Sequence, residues 1–285
     1  GNWEAREPGD YFRREWFGPF IDPATDIWPS SDCVRVRWWD LAASEKESAA
    51  RTAGVRMARH RSGVRAIEHC VAFRLNPGAR DARIIETARL DGPGVIVGIE
   101  IEPGSGGIAQ FMALEKQLKA IGVKVVGARP GVERGETEEL LIQRSASGMA
   151  GKAGRAAPVA SCLERGYQRR GECPKSDAPW WGLDAERPVR AQRDGIRLFV
   201  GAWTQAYLDV IESFPNGATC DEVDATSGAW AWLEARGGGS RGSLPFPEEQ
   251  SKFTGKDIRD VNPDHRPTTP RDDGSGLARG TRWTP

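Results

Sequence analysis

The chain has 285 residues, enough for one large domain or two small ones. Its 40 basic and 40 acidic residues balance, which excludes an overall electrostatic attraction to nucleic acid. Any binding of nucleic acid would therefore have to come from local clusters of basic residues. Five cysteines without a CxxC pair, together with only three histidines, disfavour a zinc site or a disulfide framework and fit a reducing compartment. The sequence shows neither an apolar run of transmembrane length nor the apolar core of a signal peptide, so we expect a soluble, cytoplasmic chain.

Composition divides the chain into three regions. Residues 1–33 are rich in aromatic side chains and proline without a clean period, so we interpret them as an arm whose rings pack on the domain that follows. Residues 34–235 carry the strand and helix patterns of one domain, with loop insertions predicted at about 129–154, where a partly helical excursion is the alternative, and at 166–194. Residues 236–285 lack an apolar period and are predicted to be a disordered tail.

Within the domain, strands and helices alternate after an initial meander, which predicts an α/β fold. Val34–Asp40 alternates apolar and charged residues as a half-buried strand does, and Thr52–His60 and Val64–Phe73 follow as a hairpin joined at a glycine. Val95–Ile101 is almost continuously apolar, which is typical of a central strand buried on both faces. Shorter strands are predicted at Val123–Gly127 and Gly195–Val200, and helices at Asp81–Leu90, Ile108–Ile121, Arg155–Arg165, Trp203–Phe214 and Asp221–Glu234.

Acidic side chains stand at the ends of three predicted core elements. Asp40 ends the first strand, Glu100 and Glu102 end the buried strand, and the last helix begins with Asp221 and Asp224. Clustered carboxylates repel one another unless cations neutralise them, and their hard oxygen atoms suit Mg²⁺ or Mn²⁺. Two such ions can activate a water and stabilise the leaving oxygen in phosphodiester cleavage. Simpler explanations exist: Asp40 could cap the turn after its strand, and Asp221 and Asp224 could complement the helix dipole.

Basic residues concentrate in segments 129–155 and 165–170. Lys152 and Arg155 are three residues apart at the start of a predicted helix, so both could reach one phosphate group of DNA. Acidic residues interleave with them, and ordinary solvated surface charge is the alternative explanation.

Five ordered motifs resemble the nuclease domain of the large terminase subunit of tailed bacteriophages, over roughly residues 8–234 apart from the long loops. The resemblance begins with the arm sequence GDYFRREWF and the strand RWWDLAAS, which carries Asp40. It continues with IEIEPGSG, which carries Glu100 and Glu102, and with the KxxRAxP pattern that begins at Lys152. The last motif is FPNG, followed by the acidic helix start at Asp221. Any one of these motifs alone would be a weak signal.

The resemblance implies an RNase H-like fold, in which a mixed five-stranded sheet flanked by helices brings together acids from the first strand, the fourth strand and the last helix. It implies that Asp40, Glu102 and Asp221 are catalytic ligands of two Mg²⁺ or Mn²⁺ ions, with Glu100 and Asp224 in reserve. The implied activity is cutting of concatemeric double-stranded DNA during genome packaging, in the cytoplasm of a bacterial host. The implied partners are a packaging ATPase, a portal and a small terminase subunit.

Three positions depart from the pattern of that family. Ala50 and Gly151 stand where relatives carry acids, and Cys220 replaces the first of two paired aspartates, although a soft thiolate suits Mg²⁺ poorly. A catalytically degenerate module that docks on DNA or on the procapsid is therefore one alternative, and another RNase H-fold nuclease of the resolvase or transposase type is a second. The sequence has no GxxxxGK[ST] motif, so we expect a fragment or a truncated gene product without the packaging motor.

Overall fold

The computed structural model describes residues 11–18, 20–26, 28, 32–42, 51–102, 105–128, 148–169 and 194–237. The chain separates into one unit over Gly1–Leu244 and a second over Pro245–Pro285, and all described residues belong to the first unit. The predicted tail therefore lies outside the described residues except for its first two positions. None of the helices in the described ranges is long and apolar enough to cross a bilayer.

A single mixed sheet forms the centre of the described part of the chain. Its strands are β1 (Phe20–Ile21), β2 (Cys33–Asp40), β3 (Thr52–His60), β4 (Arg65–Phe73), β5 (Val95–Glu100), β6 (Val125–Ala128) and β7 (Arg197–Phe199). They lie in the order β1-β7-β4-β3-β2-β5-β6. Strand β3 runs antiparallel to β2 and β4, and every other neighbouring pair is parallel. The predicted α/β class with a mixed sheet is confirmed.

Helices cover both faces of this sheet. They are α1 (Pro77–Asp91), α2 (Ser105–Ala120), α3 (Gly148–Gln168), α4 (Thr204–Ser213) and α5 (Asp221–Gly237), and a short 3₁₀ turn spans Arg14–Trp16. Helices α3, α4 and α5 pack on one face, where Trp38 of β2 is buried in their core. Helices α1 and α2 pack on the other face around Trp39. Because side chains of a strand alternate between faces, the two neighbouring tryptophans anchor two separate cores.

Helix α5 approaches the sheet unusually closely. A Cβ atom at Gly228 of α5 would lie 2.1 Å from Trp38 Nε1, and one at Gly98 of β5 would lie 2.1 Å from Trp38 Cε3. Such contacts are far shorter than packed atoms allow, so glycine is needed at both positions. The start of α5 is thereby brought next to the ends of β2 and β5.

Aromatic residues of the N-terminal arm belong to the core around Trp38. Phe12, Trp16 and Phe17 are buried there. Strand β1, which no sequence period indicated, pairs with β7 through Phe20 opposite Leu198. The sheet thus has two more strands than the five that the resemblance implies.

Three helices begin earlier than predicted, among them α2, which begins at Ser105 rather than at Ile108. Helix α1 begins at Pro77 because Asn76 caps it, with its Oδ1 accepting a hydrogen bond from the backbone N–H of Ala79 at 3.0 Å. Helix α3 begins at Gly148, inside the segment predicted to be a loop or a partly helical excursion. Its glycine-rich first turns carry no apolar period, and side chains of this part of the helix contact α5, as described below. Residues 129–147 and 170–193 of the two predicted insertions lie outside the described residues.

Candidate functional site

Asp40 and Glu100 end two neighbouring parallel strands at the same edge of the sheet. The register of β2 and β5 places Trp39 opposite Ile99, so the next residue of each strand lies beside the other. Those residues are Asp40 and Glu100. The sequence predicted that acids at the ends of these two strands lie close together, and Asp40 and Glu100 do so.

Both of these acids share the face that α5 covers. Along each strand they stand two positions after Trp38 and Gly98, and residues two apart point to the same face. Trp38 is the side chain that packs against Gly228 of α5. The carboxylates of Asp40 and Glu100 are thus directed toward the first turn of α5.

The first turn of α5 supplies two more acids. Helix α5 begins after Cys220, whose carbonyl accepts hydrogen bonds from the backbone N–H groups of Val223 at 2.9 Å and Asp224 at 3.1 Å. Asp221 Oδ2 accepts a hydrogen bond from the backbone N–H of Arg51 at 2.8 Å, which joins the helix start to the residue before β3. Asp221 and Asp224 are both buried.

Two cations of α3 bind Asp224. Lys152 Nζ lies 2.5 Å from Asp224 Oδ2, and Arg155 Nη2 donates to Asp224 Oδ1 at 2.8 Å. Lys152 Nζ also donates to Cys220 Sγ at 3.1 Å. The two residues predicted to contact DNA therefore bind a carboxylate of the chain itself, and Cys220 faces the same ammonium group.

The electrostatics of Asp40 show that these acids act on one another. Burial, followed by the negative charges of Glu100, Asp224 and Asp221, raises the pKa of Asp40 well above its ordinary value of 3.8, while the charge of Lys152 opposes this rise. We call these four carboxylates the acidic cluster. Burial acts to lower the pKa of Lys152, but its hydrogen bond and ion pair with Asp224 outweigh burial and raise that pKa, so the ammonium group stays charged at neutral pH.

Glu102 differs from the four acids of the cluster because it lies after the end of β5 and is exposed. Strand β5 ends at Glu100, so the alternation of the strand does not continue to Glu102, which is exposed on the loop before α2. Its carbonyl oxygen packs against α2, where a Cβ at Gly107 would approach it to 2.2 Å. The structure thus brings together Asp40, Glu100, Asp221 and Asp224, and the role of Glu102 as a ligand stays a prediction.

Arg51 is a residue of this site to which the sequence pattern assigned no role. Its Nη2 donates to Glu222 Oε1 and, at 3.0 Å, to Thr219 Oγ1, and its backbone N–H binds Asp221. The only available signal was its position between Ala50, where the resemblance led us to expect an acid, and the strand that begins at Thr52. A basic residue at this point neutralises Glu222 and fixes the start of α5.

The arm contacts the same region. The Tyr11 hydroxyl donates to the backbone carbonyl of Ala153, which lies between Lys152 and Arg155. The Tyr11 ring packs edge-on against Phe214, with 5.2 Å between ring centroids. Tyr11 of the arm motif therefore contacts both the KxxRAxP motif and the FPNG motif.

The donor chemistry of the cluster fits a hard divalent cation. Asp40, Glu100 and Asp221 offer carboxylate oxygens, and the Lys152 ammonium already stands among the acids as a cation. As placed, no three His, Cys, Asp or Glu side chains of the described residues converge on a point that could hold an ion. Asp224 faces Lys152 and Arg155, and Asp221 accepts the backbone N–H of Arg51 through one of its two carboxylate oxygens.

The site thus combines buried acids on α5, hard oxygen donors and a half-buried Asp40 whose pKa is raised. Strongly perturbed carboxylates in such a setting are typical of functional sites. The chain matches no protein-family model, no curated protein and no solved structure in comparisons with each.

Proposed function

We propose that this chain is a divalent-metal-dependent DNA endonuclease domain of the phage terminase type, with an RNase H-like fold. The observation that supports the proposal best is the convergence of motifs that are far apart in the sequence. Asp40, Glu100 and the acids at the start of α5 form one cluster. Tyr11 of the arm contacts both the KxxRAxP and the FPNG segments, and Lys152 and Arg155 of KxxRAxP bind Asp224 of the cluster. Five separate resemblances in sequence thus meet at one place in space.

The sheet order supports the RNase H-like part of the proposal. Counted from the strand that carries Asp40, strands β2 to β6 lie in the order third, second, first, fourth, fifth. The second of them is antiparallel to both neighbours. This order sets the first and fourth strands side by side, which is the arrangement that the resemblance requires for its acids.

The proposed reaction is hydrolysis of a phosphodiester bond in double-stranded DNA. Mg²⁺ or Mn²⁺ would be held by Asp40, Glu100 and Asp221, and a bound ion of this kind activates a water and stabilises the leaving oxygen. The chain's own residues set the ligands in place. Arg51 holds the ligand Asp221 at the start of α5, and Lys152 and Arg155 bind the neighbouring Asp224, which is not one of these ligands. Glu102, exposed at the rim, is a further candidate ligand.

Cutting of supercoiled plasmid in Mn²⁺ or in EDTA tests the proposal. The wild-type chain is expected to nick or linearise the plasmid only with Mn²⁺. Asp40→Asn should lower the rate by at least about 100-fold, because even residues that only support metal ligands cost 10–100-fold when changed. Asp209→Asn is the matched control, since that aspartate lies on the surface with a 56% exposed side chain. Equal nicking by wild type and Asp40→Asn would contradict the assignment of Asp40.

A second candidate function is a docking module that binds DNA or a procapsid without cutting. The observation in its favour is that Lys152 and Arg155 neutralise Asp224 rather than leaving it open to a metal ion. Retained DNA binding by a folded protein that does not cut in Mn²⁺ would favour this function over the nuclease.

The partners proposed with the nuclease follow from the resemblance. They are concatemeric double-stranded DNA, a packaging ATPase, a portal and a small terminase subunit, in the cytoplasm of a bacterial host. Co-purification of the chain with a separately expressed packaging ATPase would test the most direct of these partnerships.

A further inference from the structure

Helix α3 consists of two halves that differ in how they are held in place. The second half, residues 158–168, is anchored by apolar side chains, and Val159 and Leu163 among them are fully buried in the core. The first half, residues 148–157, has only alanines as apolar side chains from position 151 onward. Alanine buries little surface, so apolar packing holds the first half much less firmly than the second.

Charged contacts tie the first half of α3 to α5. Lys152 Nζ lies 2.5 Å from Asp224 Oδ2, and Arg155 Nη2 donates to Asp224 Oδ1 at 2.8 Å. Both cations remain partly exposed, with side-chain exposures of 28% for Lys152 and 16% for Arg155. Ion pairs whose cations reach water stabilise less than fully buried contacts, so they position the first half without fixing it as a core would.

Pro158 interrupts the backbone hydrogen bonds of α3 where the two halves meet. Proline has no N–H, so the carbonyl of Gly154, four residues earlier, lacks its helical donor, and the proline ring crowds that carbonyl. Both residues lie on the exposed side of the helix. Gly148, Gly151 and Gly154 further destabilise the first half, because glycine has a low helix propensity. The helix therefore bends more easily at Pro158 than elsewhere.

The N-terminal arm provides a further contact to the first half of α3. The Tyr11 hydroxyl donates to the backbone carbonyl of Ala153, 142 residues away in the sequence. The Tyr11 ring packs against Phe12, with 5.6 Å between ring centroids, and against Phe214, with 5.2 Å. Phe12 and Phe214 are both buried, so the core holds this hydroxyl in place while it binds the weakly packed half of α3.

We propose that the first half of α3 is a hinged segment that swings on Pro158, and that the Tyr11 hydroxyl is the latch that holds it closed. In the closed position Lys152 and Arg155 bind Asp224 of the acidic cluster. Opening withdraws both cations from Asp224, so the position of the arm controls whether they face this carboxylate. The inference goes beyond the proposed nuclease function, because it needs neither a metal ion nor the cutting of DNA.

Hydrogen–deuterium exchange of the full chain, followed by mass spectrometry, tests the latch. Tyr11→Phe removes only the hydroxyl, and we expect the backbone amides of residues 148–157 to exchange about 3- to 10-fold faster, the effect of one lost hydrogen bond. Residues 158–168 should be unchanged. Tyr207→Phe is the matched control: it removes a buried hydroxyl that lies 3.0 Å from Thr226 Oγ1 of α5, and it should leave exchange in the first half of α3 unchanged.

Two further measurements test the hinge and the cations. Pro158→Ala restores the missing N–H, so the first half should exchange more slowly, and combined with Tyr11→Phe it should reduce the acceleration. Labelling with an amine-reactive ester reports whether Lys152 leaves Asp224, and its rate at Lys152 should rise in Tyr11→Phe by the same factor as the exchange. Lys116, on the exposed surface of α2, is the internal control and should react equally in both proteins.

Equal exchange of residues 148–157 in wild type and Tyr11→Phe would overturn the latch, as would an acceleration that extends equally over residues 158–168. A Pro158→Ala chain without slower exchange would overturn the hinge, and it decides this even if Tyr11→Phe fails to fold. An unchanged labelling rate at Lys152 in a folded Tyr11→Phe chain would overturn the link between the latch and Asp224.

Discussion

Strand β2 carries two charged clusters on opposite faces of the sheet, and they are built in opposite ways. On the face of α1, Arg37 Nη2 donates to Asp91 Oδ1 at 2.8 Å, and Arg56 Nη1 donates to the same oxygen at 2.7 Å. We call this group, with His69, the arginine cluster. On the other face Asp40 lies within the acidic cluster.

The pKa values of the two central carboxylates, Asp91 and Asp40, are shifted in opposite directions. Burial acts to raise the pKa of Asp91, but hydrogen bonds and charges from Arg37 and Arg56 outweigh burial and hold that pKa below its ordinary value of 3.8. The pKa of Asp40 is raised instead. A carboxylate held charged by cations of the chain stabilises the fold, whereas one whose pKa is raised by burial and neighbouring acids costs stability and is typical of a functional site.

The largest expected effect on the free energy of unfolding comes from removing the carboxylate of Asp91, which binds both arginines of the arginine cluster. Asp91→Asn leaves Arg37, whose side chain is 1% exposed, without its carboxylate. We expect the free energy of unfolding to fall by about 3–5 kcal/mol, as for other broken buried ion pairs. Urea unfolding measures this change. A loss below about 1 kcal/mol, the range of surface pairs such as Arg14–Asp209, would contradict the comparison.

The next effect is a dependence on pH within the same cluster. Burial and the charges of Arg37 and Arg56 lower the pKa of His69 from 6.5 to about 4. The unfolded chain therefore takes up this proton first, so the stability from neutral His69 is complete above pH 6.5 and is lost as the pH falls toward 4. The loss, about 1–3 kcal/mol, should be absent in His69→Gln.

Unfolding in urea at several pH values between 7 and 4 compares wild type with that variant. Parallel stability curves for the two proteins would show that His69 is not held neutral by the arginines.

An effect of similar size is expected from the close approach of α5 to β2. Gly228→Ala places a Cβ 2.1 Å from the buried Trp38 ring, so the helix must move, at a cost of about 1–3 kcal/mol. Gly154→Ala in α3 is the matched control, because no atom lies within 4 Å of its Cβ position. Alanine there should instead add up to about 1 kcal/mol through helix propensity. Equal effects on thermal unfolding would contradict the close packing.

The smallest expected effect is a gain of stability in the acidic cluster. Asp40→Asn removes one of several repelling charges, so in EDTA at neutral pH we expect stability to rise by about 0.5–2 kcal/mol, even though activity is lost. Urea unfolding beside Asp209→Asn measures the gain. A clear loss of stability would show that the charge of Asp40 is stabilised by cations of the chain, as the charge of Asp91 is.

Much of the central fold could be predicted from local patterns. The strand predicted at Thr52–His60, from its composition and the glycine turn after it, is β3 with the same bounds, and the predicted start of the last helix at Asp221 is also correct. Both signals are local, because strand alternation and helix-start chemistry are properties of a few consecutive residues.

The remaining features depend on contacts between distant residues. Strand β1 has two residues, and its pairing with β7 leaves no period in the sequence. The choice between Glu100 and Glu102 depends on where β5 ends, which the continuous apolar run of that strand could not show. The binding of Asp224 by Lys152 depends on the packing of α3 against α5.

The position of Trp38 between Gly98 and Gly228 also predicts how the sequence can change in evolution. The side chains at these three positions occupy the same limited space, because an added methyl group at either glycine would overlap the indole ring. We therefore expect covariation: relatives with a larger residue at position 98 or 228 should carry a smaller one at position 38. Because this coupling concerns volume rather than charge, it can identify distant relatives even where their acidic residues differ.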